Sequence, residues 1–251
     1  MTLETFFADN PAGALAFSGG TDSSLLVWAA KKYGKDWQAY YVESAFQPAF
    51  ELADARKIAM ECGLPLTIIK GDILKYKQVA ENPADRCYLC KQVVFSMIQQ
   101  QAAADGYSLI IDGTNASDEA SDRPGMRALR EMNVRSPLRE CGLTKADVRA
   151  LSREADLFTW SKPSYACLAT RIPTNTPITF DALKKVEHSE NILSSLGFTN
   201  FRVRINGDAA VIQVTQDQFA YAFMRREDIQ NMLKPLFPIV ALDLLPRARA
   251  Q

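Results

Sequence analysis

Excess charge of either sign is missing. Lys plus Arg and Asp plus Glu both number 29, so nothing draws the chain to a polyanion or an anionic membrane surface, and no nucleic-acid partner is expected. Long apolar runs are missing too. No stretch approaches the roughly 20 apolar residues needed to span a bilayer, so no membrane partner is expected. The start, Met1-Thr2-Leu3-Glu4-Thr5, lacks the basic and apolar regions of a signal peptide, and a cytoplasmic location is the expectation. Histidine is nearly absent: His188 stands in an ordinary amphipathic pattern, which leaves little for a zinc site. The five cysteines are an odd number, which argues against a disulfide framework and for thiols kept reduced. There is no internal repeat and no low-complexity tract.

With 251 residues, 47% of them hydrophobic, the chain can bury one substantial core and a smaller appended unit. Near the start, the apolar run Ala14-Leu15-Ala16-Phe17 breaks into Ser18-Gly19-Gly20-Thr21-Asp22-Ser23-Ser24 and then into a helical pattern through Tyr33. A buried strand, a glycine loop and a helix N-terminus in that order form an anion cradle. The glycines let backbone N–H groups approach, and the helix adds the positive end of its dipole. The loop holds no lysine and its spacing is neither GxxxxGK[ST] nor GxGxxG, which excludes those two phosphate-binding patterns. It resembles instead the SGGxDS loop of the PP-loop ATP pyrophosphatases. That resemblance implies that Ser18, Gly19, Gly20, Asp22, Ser23 and Ser24 hold the phosphates of ATP, with Mg²⁺, while a substrate is adenylated and pyrophosphate leaves. The blander reading is a polar strand-to-helix turn with a side-chain cap.

Strand and helix patterns then alternate. Trp37–Val42 and Leu66–Ile69 read as strands, and Pro48–Cys62 reads as an amphipathic helix ended by Gly63. Lys91–Ala104 reads as a further helix, and Leu109–Ile111 as a short strand running into Asp112-Gly113-Thr114-Asn115. This order predicts an α/β fold with a doubly wound parallel sheet, in which the opening loop and the turn at Gly113, Thr114 and Asn115 face one crevice. Residues 115–137 are polar and arginine-rich and read as a connection, and Thr144 caps a helix to Glu154. The stretch from Ser161 to Pro177, broken by Pro163, Pro173 and Pro177, reads as a boundary loop. A first domain of residues 1–176 and a small α+β domain of 177–251 follow. The second is expected to contain a helix over Asp181–Leu196, a hairpin turning at Asn206-Gly207-Asp208, a helix near Arg226–Leu233 and a strand Ile239–Leu242.

Cys167 sits in the boundary loop with Lys162 and Arg171 near it, cations that favour a thiolate. A lone cysteine is otherwise a small inert core residue, the role expected of Cys62 and Cys141. The surrounding words, Lys162-Pro163-Ser164-Tyr165-Ala166-Cys167-Leu168-Ala169-Thr170-Arg171-Ile172-Pro173, resemble the cysteine loop of the LarE family, ATP-dependent sulfur transferases that help build the nickel-pincer nucleotide cofactor. The similarity extends to Asp85-Arg86-Cys87-Tyr88-Leu89-Cys90-Lys91, Asp112-Gly113-Thr114-Asn115, Asp122-Arg123-Pro124-Gly125, Ser136-Pro137-Leu138, Val186-Glu187 and Arg202-Val203-Arg204.

The resemblance implies an enzyme that adenylates a carboxylate of a pyridinium biscarboxylate mononucleotide and turns it into a thiocarboxylate. Cys167, Asp22 and Arg171 are then the catalytic candidates. Gly113, Thr114, Asn115, Arg123, Arg202 and Arg204 join the loop in binding nucleotide and substrate phosphate. Sulfur comes either from Cys167 itself, leaving dehydroalanine, or through a [4Fe-4S] cluster on Cys87, Cys90 and Cys167 with one iron left open. A small-molecule nucleotide and a second copy of the chain are the expected partners. The pattern departs from the family near Gln213, where an acidic residue is expected, near Asn206, where a histidine is, and in the tail Leu244–Arg249. A different adenylating enzyme (amidation or tRNA thiolation) and a non-catalytic nucleotide- or cluster-binding protein are the alternatives.

Overall fold

The computed structural model describes residues 1–118 and 124–247. In chain order the elements are α1 (Leu3–Asp9), β1 (Ala12–Ala16), α2 (Thr21–Tyr33), β2 (Asp36–Glu43), α3 (Ala49–Cys62), β3 (Leu66–Lys70), α4 (Lys77–Ala80), α5 (Arg86–Ala104), β4 (Ile110–Ile111), α6 (Pro124–Glu131), α7 (Pro137–Glu140), α8 (Lys145–Glu154), α9 (Phe180–Ser195), β5 (Arg202–Asn206), β6 (Ala209–Gln213), α10 (Phe219–Met224), α11 (Arg226–Leu233) and β7 (Ile239–Leu242). They group into two compact units, residues 1–73 with 85–162, and residues 74–84 with 163–251.

The first unit is the expected α/β fold. Its sheet runs β3-β2-β1-β4, every pair parallel, with Leu15 against Ala39 on one side and Ile111 on the other. Successive strand residues feed opposite faces. Leu15, Trp37, Ala39, Tyr41 and Ile111 pack with α1, α2, α3 and α8. Ala14, Tyr40, Val42 and Ile110 pack with Phe95 and Ile98 of α5 and Met126 and Leu129 of α6. Helices on both faces make the sheet doubly wound, and all four strands end on the edge where the glycine loop lies. Gly63 ends α3 at φ 67°, as the left-handed helix terminus requires.

Two local departures matter for the site. The helix read from Lys91 begins at Arg86, so Cys87 and Cys90 lie on α5 and not before it. Within residues 115–137, Pro124–Glu131 is helical, with Met126, Ala128 and Leu129 buried. Eight residues give too short an apolar stripe to stand out among arginines, while proline at the first helical position suits a helix start.

The second unit holds the sheet β5-β6-β7. The β5–β6 pair is an antiparallel hairpin closed by Gly207 and Asp208, and β7 runs parallel to β6. Its core gathers Ile192, Leu193, Val203, Ile212, Ile229 and Leu233. Asn82 ties residues 74–84 into this unit. It is 1% exposed, its Nδ2 donates to Pro173 O (2.8 Å) and Thr176 O (3.1 Å), and its carbonyl accepts from Asn175 N–H (2.8 Å). Among the described residues, no helix is long and apolar enough to cross a membrane.

Candidate active site

The glycine loop depends on its two glycines for its backbone path. Gly19 sits at φ 74°, where an L side chain is strained, and a Cβ there would lie 2.7 Å from Glu51 O. Gly20 is the N-cap of α2 and offers no side-chain cap, so the first N–H groups of the helix are not met by its side chain. Ser18 Oγ and Ser23 Oγ are 3.1 Å apart, and Thr21 Oγ1 donates to Thr159 O at 2.8 Å. The buried Ser24 Oγ has no hydrogen-bond partner among the described residues. A buried hydroxyl without a partner beside a cluster of backbone N–H groups fits a loop built to receive phosphate oxygens.

The turn after β4 reaches this loop directly. Asp112 is buried and shapes the turn, accepting from Thr114 Oγ1 (2.5 Å) and Ser136 Oγ (2.6 Å). A Cβ on Gly113 would stand 2.9 Å from Ser23 N, so only glycine allows the turn this close to α2. Asn115 Nδ2 then donates to Asp22 Oδ1 at 3.0 Å. Asp22, Ser23, Gly113 and Asn115 are therefore neighbours, although 93 positions separate Asp22 from Asn115.

Two lysines that the sequence did not connect with the loop also arrive there. Lys145, first residue of α8, pairs through Nζ with Asp22 Oδ2. Lys162 Nζ donates to Gly19 O (3.3 Å) and Asp54 Oδ2 (2.5 Å). Lys162 was placed by sequence near Cys167; its amino group is engaged at the loop.

In the second unit, Cys167 precedes the 3-10 turn Leu168–Arg171. Its carbonyl accepts from Thr170 N–H (3.0 Å), Thr170 Oγ1 (2.9 Å) and Arg171 Nη1 (3.2 Å). The Arg171 side chain is 1% exposed, and every nitrogen of its guanidinium has a protein acceptor. Nε and Nη2 take both oxygens of Glu190 (2.8 and 3.1 Å), and Nη1 also reaches Ala166 O (2.8 Å). Glu190 accepts in addition from Val203 N–H (3.0 Å) and Tyr165 OH. Burial, then the Glu190 charge, keeps the Tyr165 hydroxyl neutral well above its usual range. This carboxylate joins α9, β5 and the cysteine loop. Breaking such a pair leaves a buried uncompensated charge, which costs about 3–5 kcal/mol.

Arg202 and Arg204, one strand face in the pattern, sit differently. Arg202 is buried and donates to Phe201 O (2.6 Å) and Ser164 O (3.0 Å). Burial, with Arg171 and Arg247 near, pushes it down to about 10, still a cation at neutral pH. Arg204 is exposed and donates to Gln213 Oε1 (2.7 Å) and Thr170 O (2.8 Å).

Cys87 and Cys90 lie one turn apart on α5, Cys87 exposed and within 3.6 Å of Arg86 Nη2. His188 is exposed on α9. Among the described residues no group of three or more His, Cys, Asp or Glu side chains is placed to hold a metal ion. Cys62 and Cys141 pack against the first unit's core. Arg123 lies outside the described residues.

No family model matches the chain. The pyridinium-3,5-bisthiocarboxylic acid mononucleotide synthase of Lactiplantibacillus plantarum is 32% identical over 246 residues, covering 97% of this chain and 89% of its own. The chain belongs to the LarE family. Uncharacterized proteins of Synechocystis sp. (33% over 248 residues, 96% of this chain and 92% of theirs) and of Methanocaldococcus jannaschii (30% over 220 residues, 88% and 84%) are similar as well.

Within this LarE-family chain, the departure at Gln213 has a structural counterpart. Gln213 accepts from Arg204 and donates through Nε2 to Asp243 Oδ2 at 2.6 Å. The hydrogen bond from Gln213, one from Leu245 N–H and the Arg204 charge hold the Asp243 carboxyl below its usual range. A carboxylate is thus present beside this strand pair, supplied just past β7 and not from β6.

Proposed function

We propose that this LarE-family enzyme is an ATP-dependent sulfur transferase that adenylates a carboxylate of a pyridinium biscarboxylate mononucleotide and converts it to a thiocarboxylate for nickel-pincer nucleotide synthesis. The observation that carries this reading is the likeness, across nearly the whole chain, to a synthase named for the bisthiocarboxylate product. The glycine loop, with its positive-φ Gly19 and the unpartnered Ser24 hydroxyl, supports ATP as co-substrate.

A carboxylate is a poor electrophile. Attack of its oxygen on the α-phosphorus of ATP, with departure of pyrophosphate, makes an acyl adenylate whose leaving group is AMP. In this reading Ser18, Gly19, Gly20, Ser23 and Ser24 take the β- and γ-phosphates, Mg²⁺ supplies further charge neutralisation when bound, and Asp22 is the loop's carboxylate for it. Gly113, Thr114 and Asn115 border the nucleotide, and Arg204 with Arg202 serves the substrate phosphate. The Cys167 thiolate attacks the activated carbonyl and expels AMP. Removal of the Cys167 Cα proton with cleavage of its Cβ–S bond then frees the thiocarboxylate and leaves dehydroalanine. Arg171 acts through the loop, orienting the Cys167 carbonyl, and is a positioning residue. Sulfide carried by a [4Fe-4S] cluster on Cys87, Cys90 and Cys167 is the alternative source, and no step is routed through it. A cytoplasmic homo-oligomer is the proposed state of the protein.

The test is incubation with ATP, Mg²⁺ and the carboxylated nucleotide. AMP and pyrophosphate are expected, and their absence removes the reading. Intact mass after turnover is expected to fall by about 34 Da, one H₂S, if Cys167 is the donor. Anaerobic reconstitution with iron and sulfide giving a cubane absorption that Cys87→Ala abolishes assigns the sulfur to a cluster instead.

A further inference from the structure

Helices α1, α2 and α8 enclose a pocket of about 580 Å³ in the first unit, and none of its lining residues belongs to the glycine loop or to the turn after β4. That volume lies within the roughly 300–1,000 Å³ usual for small-molecule sites. Its apolar lining comes from three segments: Leu25 and Trp28 on α2, Leu151 on α8, and Leu143 just before α8. Leu25 is fully buried, and the other three pack half-buried against the core of the unit. Trp28 meets Tyr33 edge to face with ring centroids 5.8 Å apart, which fixes the aromatic part of the lining.

Charges of both signs line the same pocket. Glu4 lies in the first turn of α1, Lys32 in the last turn of α2, and Glu154 is the last residue of α8. Lys32 Nζ stands 4.5 Å from the Trp28 ring centroid and 5.2 Å from that of Tyr33, so the ammonium is held at the aromatic rings. Among the described residues Lys32 has no carboxylate partner, and neither Glu4 nor Glu154 has a hydrogen-bond or ion-pair partner. Glu154 also sits at the negative end of the α8 dipole, where a carboxylate is disfavoured and a cation is welcome.

From this arrangement we propose that the pocket is a binding site for a zwitterion with an apolar body, the chemistry of an apolar or aromatic α-amino acid. The ligand's side chain packs on Leu25, Trp28, Leu143 and Leu151. Its ammonium meets Glu4 and Glu154, and its carboxylate meets Lys32, which keeps its place over the rings. A plain hydrocarbon leaves all three charges unmet, and an ion of one sign leaves the opposite charge of the lining unmet, whereas a zwitterion answers both with charge-assisted hydrogen bonds. The site is independent of the ATP reading above, and neither stands or falls with the other.

The experiment is calorimetric titration of the full chain with L-phenylalanine and L-leucine, and with two analogues that each lack one charge, phenethylamine and 3-phenylpropionate. The variants are Glu4→Gln, Glu154→Gln and Lys32→Gln, each checked for an unchanged melting profile. Saturable binding of at least one amino acid is expected, with both analogues weaker than L-phenylalanine by about 3-fold or more. Lys32→Gln is expected to weaken the amino acid and 3-phenylpropionate about 3- to 10-fold and to leave phenethylamine within about 2-fold. At least one glutamate variant is expected to do the reverse, weakening the amino acid and phenethylamine while sparing 3-phenylpropionate. No saturable binding of either amino acid up to about 10 mM overturns the proposal. So does an analogue that binds as tightly as L-phenylalanine, and so does an amino-acid affinity unchanged in Lys32→Gln or in both glutamate variants.

Discussion

At the scale of single residues, the five cysteines separate by environment. Cys62 and Cys141 pack against the core of the first unit, and burial pushes the Cys62 thiol up to about 11 and raises that of Cys141 as well. Thiols react as thiolates, so both are slow nucleophiles at neutral pH. Cys87 is exposed on α5. Iodoacetamide at pH 8 under native conditions is expected to label Cys87 well before Cys62 or Cys141, read by peptide mass mapping. Cys62 or Cys141 labelling as fast as Cys87 contradicts this. The sign for stability follows. The unfolded Cys62 thiol ionises near its ordinary 9.0 while the folded one stays protonated to about 11. Its contribution is therefore complete below about pH 9 and is lost as pH rises from there through 11.

At the scale of elements, the turn after β4 comes close to the backbone of the first turn of α2. Gly113→Ala places a methyl 2.9 Å from Ser23 N, against backbone that has no rotamer to yield. Overpacking of this kind costs about 1–3 kcal/mol, so thermal denaturation is expected several degrees lower, at roughly 2–4 °C per kcal/mol for a chain of this size. Asn115 moves with the turn, so ATP affinity should fall as well. An unchanged Tm for Gly113→Ala contradicts the packing. The glycine loop, the Gly63 helix end, the Thr144 cap and the Gly207 hairpin were all legible in sequence, because each depends on residues within a few positions of one another. Helix α6 and the start of α5 were not. In α6 the apolar stripe is only Met126, Ala128 and Leu129. Its fixing contacts come from another helix: Arg127 lies 3.7 Å over the Tyr88 ring, and Tyr88 OH donates to Glu131 at 2.6 Å.

At the scale of the whole molecule, each of the two units has a core of its own, the first on both faces of the parallel sheet and the second around Leu193, Val203 and Ile212. Separate cores predict separate melting. Differential scanning calorimetry is expected to show two transitions, and ATP with Mg²⁺ should raise only the one belonging to the glycine-loop unit, by about 2.7 kcal/mol at 100 times Kd. One cooperative transition, or two raised alike, contradicts independent cores.

By itself the sequence determined the α/β alternation, the glycine loop between β1 and α2 and the family words around Cys167, since apolar periodicity, glycine placement and short motifs are local properties of a chain. Only the tertiary structure decided which charges meet: Asp22 with Asn115 and Lys145, Lys162 with Gly19 and Asp54, and Arg171 with Glu190. Partners such as Asp22 and Lys145, 123 positions apart, leave no mark on the residues between them. Their pairing is decided by the strand order that brings α2, the turn after β4 and α8 to one edge of the sheet.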